Sequence, residues 1–136
     1  MIRLERPPNY DQVVAVFPLA ANPGVLFAFG EDIFNPSKVN IPKWIIAHEY
    51  KHCARQFLTT PDIWWDEYLT DQSFRYHEEL LAHAAEFQEA KSMAKRDRNV
   101  YAKLFDRTAR RVIAPLYNYQ PPKSLRQALK DLELLV

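Results

Sequence analysis

The pattern of apolar and polar positions changes character along this chain, from short apolar runs near its start to longer stretches with helical spacing beyond residue 42. Two runs come first: Gln12 to Phe17, with Val13, Val14, Ala15 and Val16, and Val25 to Phe29. Ala20-Ala21-Asn22-Pro23-Gly24 separates them with turn-forming residues. The pair therefore predicts two strands of a small antiparallel sheet, extended by Asp32-Ile33-Phe34. Asn35-Pro36-Ser37 interrupts the chain, and from there apolar residues recur at helical intervals. A first helix is predicted over 42–58, opened by Pro42 and led by Trp44, Ile45 and Ile46. Thr60-Pro61 caps a short helix carrying Trp64, Trp65 and Tyr68. Asp71 caps a longer one over 72–96 that contributes Phe74, Leu80, Leu81 and Phe87. Asn99 to Ile113 predicts a further helix stopped before Pro115, and Ser124-x-x-Gln127 has the form of a capping box opening a last amphipathic helix with Leu125, Leu129 and Leu132. The expected fold is α+β, a small antiparallel sheet followed by a mainly helical domain.

Composition narrows the class. At 136 residues and 48% hydrophobic, the chain has apolar material for one core and too little length for two, so 1–136 is read as a single domain. Two Gly against ten Pro leave no Gly-rich phosphate loop. The one cysteine, Cys53, rules out an internal disulfide framework and reads as a core thiol. No basic, apolar leader opens the chain, and no apolar run reaches the length of about 18 residues that a membrane helix needs, so a cytoplasmic location without membrane partners is expected. The net charge of +1 conceals an asymmetry: residues 91–130 carry +9 and the remainder −8. Such a basic segment can bind nucleic acid or another polyanion, form a solvated helix face, or pair with the acidic part of its own fold. No nucleic-acid motif accompanies it, so nucleic acid ranks low among the expected partners.

His48-Glu49-Tyr50-Lys51-His52 carries the chemistry. Four His and nine Glu in this chain produce an accidental H-E-x-x-H match with an expectation of roughly 0.01, so chance is a poor explanation. On a helix, residues four apart lie one above the other, so His48 and His52 can offer two imidazole nitrogens to one Zn²⁺. Glu49, about 100° around the same turn, is placed to take a proton from metal-activated water instead of ligating. A catalytic zinc takes three protein ligands, so one more is needed. A third His ten residues after the first is excluded, because Leu58 stands there. The helix over 72–96 offers His77, Glu78, Glu79, His83 and Glu86, of which Glu79, His83 and Glu86 share one stripe.

The run Phe29-Gly30-Glu31-Asp32-Ile33-Phe34-Asn35-Pro36, the His48 to His52 motif with Arg55-Gln56 after it, and then Trp64-Trp65, Tyr68, Asp71, Phe74-Arg75, Glu79 and Ala82 together resemble the minimal HExxH zincin-like, gluzincin-type metallopeptidases encoded by bacteriophages and prophages. The resemblance covers about residues 24–90 and leaves 91–136 as a basic helical extension. It implies a zincin-like fold with the motif on a buried helix, a peptide or protein substrate, and residence in the host cytoplasm or virion. It also implies that the third ligand is the Glu of an E-x-x-A element, here Glu79-Leu80-Leu81-Ala82. Two positions depart from the pattern: Leu81 replaces an acidic residue and His83 replaces Tyr, so a ligand or transition-state role for His83 stays open.

The expected function is thus zinc-dependent peptide hydrolysis, with His48, His52 and Glu79 on the metal and Glu49 as general base. A strand such as Val25 to Phe29 could pair an extended substrate through its backbone. Arg75 and Tyr76 are candidates to position substrate or stabilise an oxyanion, although pairing of Arg75 with a nearby acid is the simpler reading. Glu78, Glu79, Glu86 and Glu89 could simply form the solvated face of their helix, the simpler reading for Glu86 but not for Glu79. Two other functions compete: a non-enzymatic virion or host-interaction module that retains a structural metal, and a polyanion-binding protein that uses the basic segment.

Overall fold

A computed structural model describes residues 1–136 as an α+β fold of three short strands and six α-helices. The strands are β1 (Ile2–Arg3), β2 (Phe27–Phe29) and β3 (Asp32–Phe34). The helices are α1 (Tyr10–Val16), α2 (Lys43–Gln56), α3 (Pro61–Thr70), α4 (Gln72–Ala90), α5 (Arg98–Val112) and α6 (Leu125–Glu133). No helix is long and apolar enough to cross a membrane.

The first predicted strand, Gln12 to Phe17, is instead part of helix α1 and the turn that follows it. Its apolar residues do not alternate; Val13 and Phe17, four apart, are the two that are buried, and this is a helical spacing. The sheet is mixed, not antiparallel. Its order is β1-β3-β2, with β2 antiparallel to β3 and β1 parallel to it. β1 has no apolar pattern to announce it; it is held by backbone pairing and by the Arg3–Asp32 ion pair at 2.6 Å. Gly30, at φ 63, makes the tight β2–β3 turn in a backbone conformation that other residues adopt at a cost.

Three helix starts follow their predicted caps. The Thr60 hydroxyl accepts from Ile63 N–H at 3.2 Å, and the Asp71 carboxylate accepts from Ser73 and Phe74 N–H at 2.9 and 3.2 Å. The Ser124 hydroxyl accepts from Gln127 N–H at 3.1 Å, but Gln127 bonds Asp131 at 2.7 Å, so the capping box is only half made. α4 ends at Ala90, short of 96, and the chain continues as a 3₁₀ turn over Lys91–Ala94. α5 starts one residue earlier than predicted, capped by Asp97.

Two apolar clusters form the core. Val13, Phe17, Phe27, Trp64, Trp65 and Tyr68 join α1, the sheet and α3. Tyr76, Leu80, Val112, Ala128 and Leu132 join α4, α5 and α6. α4 packs against α2, α3, α5 and α6, so the residues on its face toward α2 are placed between the two clusters. Gln56, fully buried at the end of α2, accepts from Gly30 N–H at 2.8 Å and donates to the Ala28 carbonyl at 3.0 Å, which fastens α2 to the hairpin.

Candidate metal centre

α2 and α4 pack side by side and turn their only buried histidines and three buried glutamates toward each other. His48 and His52 lie one turn apart with ring centroids 4.9 Å from each other, both about 95% buried. Facing them is Glu79, with Oε1 at 3.5 Å from His48 Nε2 and Oε2 at 2.8 Å from His52 Nε2. The Tyr68 hydroxyl donates to the same Oε2 at 2.8 Å. One ligand atom from each of His48, His52 and Glu79 lies within 4.8 Å of the others.

This donor set fits Zn²⁺ on chemistry and spacing. Two imidazole nitrogens and a carboxylate form a known catalytic zinc set, and a tetrahedral ion with bonds of about 2.0–2.1 Å holds its ligand atoms roughly 3.3 Å apart. Glu79 Oε1 is buried and makes no hydrogen bond of ordinary geometry within the chain; His48 Nε2 lies 3.5 Å from it and His83 Nδ1 3.6 Å.

Electrostatics within the site tie its members together. Burial by itself would raise the Glu79 pKa, but the charges and hydrogen bonds of His52 and His48 outweigh it and hold the carboxyl well below the usual range. Burial opposes protonation of His52, yet the Glu79 carboxylate overrides it and raises the imidazole pKa. His83 goes the other way: complete burial and the neighbouring His48 push it well below normal, so it is neutral. Its Nδ1 lies 2.8 Å from the Glu79 main-chain carbonyl, an acceptor, which assigns the proton to Nδ1 and leaves a lone pair on the unpartnered, buried Nε2.

A second group of possible ligands, His48, His83 and Glu86, lies on the far side of the His48 ring. Glu86 Oε1 is 3.7 Å from His48 Nδ1 and accepts a hydrogen bond from Arg111. Reading Glu78 and Glu86 as solvated is therefore overturned. Glu78 is buried in a bidentate pair with Arg55 at 2.9 and 3.0 Å, and only Glu89 of that set is exposed. His77 is exposed and plays no part.

His48, His52 and Glu79 line a cleft of about 350 Å³ together with Glu49. Its walls are largely apolar, with Leu26, Ile45, Trp64 and Leu116 among them, and Tyr117 and Arg111 reach it from the C-terminal part of the chain. Arg75 and Tyr76 do not line it. Arg75 pairs with no acid; it donates to the carbonyls of Tyr68 at 2.7 Å and Tyr117 at 2.9 Å, which fastens the Tyr117 segment beside α3. Tyr76 donates to Asp131 at 2.7 Å in the other core cluster. Cys53 is a buried thiol whose pKa burial, aided by Glu49, pushes up to about 12, and it belongs to neither ligand group.

Tyr68, Tyr117 and Arg111 are the site residues that sequence reasoning did not assign. Tyr68 is aligned with the site by its place on α3, but Tyr117 and Arg111 lie 38 and 32 positions beyond Glu79 with no motif around them. The strand edge expected to pair a peptide is partly used. Ile33 N–H donates to Met1, so its antiparallel partner Ala28 turns its backbone outward, and that carbonyl already accepts from Gln56 and Trp65.

No family model, no curated protein and no solved structure matches the chain.

Proposed function

We propose that the protein is a Zn²⁺-dependent hydrolase of peptide bonds, with His48, His52 and Glu79 as metal ligands and Glu49 as general base. The observation that carries this reading is the convergence of the two α2 imidazoles on the buried Glu79 carboxylate, in the wall of a cleft that Glu49 also lines. Zn²⁺ held there would polarise a substrate carbonyl and acidify water.

The chain's own groups do the rest. Glu49 takes a proton from the attacking water and delivers it to the leaving amine. Tyr68 holds Glu79 by its 2.8 Å hydrogen bond, so the carboxylate cannot swing away from the histidines. Tyr117, whose hydroxyl is kept protonated by burial and by the charge and hydrogen bonding of Glu79, lines the cleft and is the candidate to turn from that carboxylate and donate to a developing oxyanion; Arg75 and Tyr76 do not line the cleft. The apolar walls favour an extended peptide with apolar side chains. By the alternation of strand backbone, Leu26 turns its polar groups to the same outer edge as Ala28, and these are the groups left to pair with the substrate.

Metal analysis of protein purified without added zinc should find about one Zn²⁺ per chain, lost in His48→Ala and His52→Ala. Stoichiometric zinc that survives both changes removes the assignment. A proteome-wide cleavage screen then supplies a substrate. Glu49→Gln should keep fold and zinc but lose cleavage, because the amide preserves shape without the base. Zinc binding with no cleavage by either form would favour a non-enzymatic module with a structural metal.

A further inference from the structure

Glu86 has no role in the mechanism above, yet it is a carboxylate only 2% exposed, and an unpaired buried charge is strongly destabilising. It sits two turns beyond Glu79 on the same stripe of α4. One of its neighbours is Arg111 of α5, which donates to Oε1. The other is His48, whose buried Nδ1 has no hydrogen-bond partner and lies 3.7 Å from the same oxygen.

A neutral imidazole carries one proton, on one nitrogen or the other. His48 turns Nε2 toward Glu79 and His52, so as a ligand it must keep that nitrogen bare and carry its proton on Nδ1. Glu86 and the lone pair of His83 Nε2 are the acceptors on that side; an anionic carboxylate is the stronger of the two. The 3.7 Å separation exceeds hydrogen-bond length by about 0.5 Å, a gap that side-chain rotation closes. A second cation held by His48, His83 and Glu86 is disfavoured, because Arg111 already places a positive charge on the Glu86 oxygen.

We infer that Glu86, anchored by Arg111, is a positioning residue that accepts the His48 Nδ1 proton and so fixes the tautomer presenting Nε2 to the Glu79–His52 group. This inference rests on the metal reading above, because with no cation at Nε2 the Glu79 carboxylate, 3.5 Å away, competes with Glu86 for the His48 proton. It also changes the meaning of the C-terminal segment: through Arg111, α5 is part of the centre and not an appendage to it.

The test is long-range ¹H–¹⁵N NMR of the histidine rings in the full-length, Zn²⁺-loaded protein, joined to Zn²⁺ affinity by chelator competition. The wild type should show His48 protonated on Nδ1, with that proton shifted downfield by a carboxylate acceptor. Glu86→Ala should lose the downfield shift and weaken Zn²⁺ binding by about 10- to 100-fold, the usual range for an outer-sphere partner. Glu86→Gln, which preserves volume and an acceptor oxygen, should fall between, and so keeps the test available if the Ala variant does not fold. Arg111→Gln should weaken zinc in the same direction. His83→Gln should leave the His48 Nδ1 proton unchanged. An unaltered Nδ1 proton and unaltered affinity in both Glu86 variants overturn the inference and leave the metal reading standing, as does a change that follows His83 instead. If the wild type binds no zinc, the metal reading fails and the inference falls with it.

Discussion

Protonation of single residues in the His48–His52–Glu79 group would oppose the cation proposed for it. The folded pKa of His52 is raised, so its ion pair with Glu79 stabilises the metal-free protein fully below the unfolded histidine value and loses that contribution as pH rises through the folded value. Glu79 is depressed, so its own contribution is present above the unfolded carboxyl value and fades on acidification. The His52–Glu79 pair should therefore contribute most at mildly acidic pH in the absence of metal, while His83, depressed by burial, takes stability away as pH falls below the unfolded histidine value. Zinc must displace the His52 proton, so zinc affinity should rise as pH climbs from roughly 5 to 8. Melting temperatures with chelator and with excess Zn²⁺ across that range should diverge as pH rises; parallel curves would contradict the assignment of His52 as ligand. Cys53 supplies a second check at this scale. With its thiol pushed up to about 12 and its sulfur buried, it should resist iodoacetamide in the native protein at mildly alkaline pH and react once the chain is unfolded. Rapid native alkylation, read by mass spectrometry, would show that α2 is not packed against β3 as described.

Among the elements, periodicity was legible wherever one face dominates and was misleading where a run is short. α2, α3, α4 and α6 start within a residue of the positions that Pro42, Thr60, Asp71 and Ser124 indicate, because caps act locally. In sequence α1 resembles a strand because four consecutive small apolar residues suit either period, and packing against Trp64 and Tyr68 selects the helix. The amphipathic pattern of α6 translates directly into burial: Leu132 is fully buried in the second cluster. Leu132→Ala should destabilise the protein by about 2–5 kcal/mol in chemical denaturation. Because that cluster contains none of the candidate ligands, zinc stoichiometry of the folded fraction should be unchanged. Tyr68→Phe is the converse case. It removes one hydrogen bond from Glu79, and should weaken zinc binding while lowering stability by only about 1–3 kcal/mol.

Over the whole molecule, the charge asymmetry resolves into two populations. Of the eleven Lys and Arg between 91 and 130, Arg111 reaches inward to Glu86 and Arg110 pairs with Asp106 on the surface at 2.7 Å, while the others form no ion pair. The basic charge of the segment therefore reaches the interior through one residue and is otherwise left mostly to solvent. Neutralising Arg107 and Arg110, both exposed, should leave zinc binding intact and change stability by less than about 1 kcal/mol. Adding Arg111→Gln to that pair should then weaken zinc. A duplex-binding assay over a salt series should find no binding at micromolar concentration. Salt-sensitive binding that disappears in the Arg107/Arg110 variant would move the polyanion reading ahead of the peptidase.

The sequence by itself determined what depends on neighbours along the chain: the helix caps, the α+β order, and the one-turn spacing that stacks His48 above His52. Glu79, His83 and Glu86 shared a stripe by the same local geometry, yet their separate relations to His48 and His52 were not in the pattern. Those depend on how α2 docks on α4, and docking is set by non-local packing. It sends Glu79 to the Nε2 side of His48, Glu86 to its Nδ1 side and Glu78 to Arg55. Only the tertiary structure could bury three carboxylates on a helix whose composition reads as solvated, because the partners that make such burial tolerable, two histidines and two arginines, come from other helices. The parallel β1–β3 pairing and the arrival of Tyr117 and Arg111 at the cleft were hidden for the same reason: a contact between distant segments leaves no periodic mark on either of them.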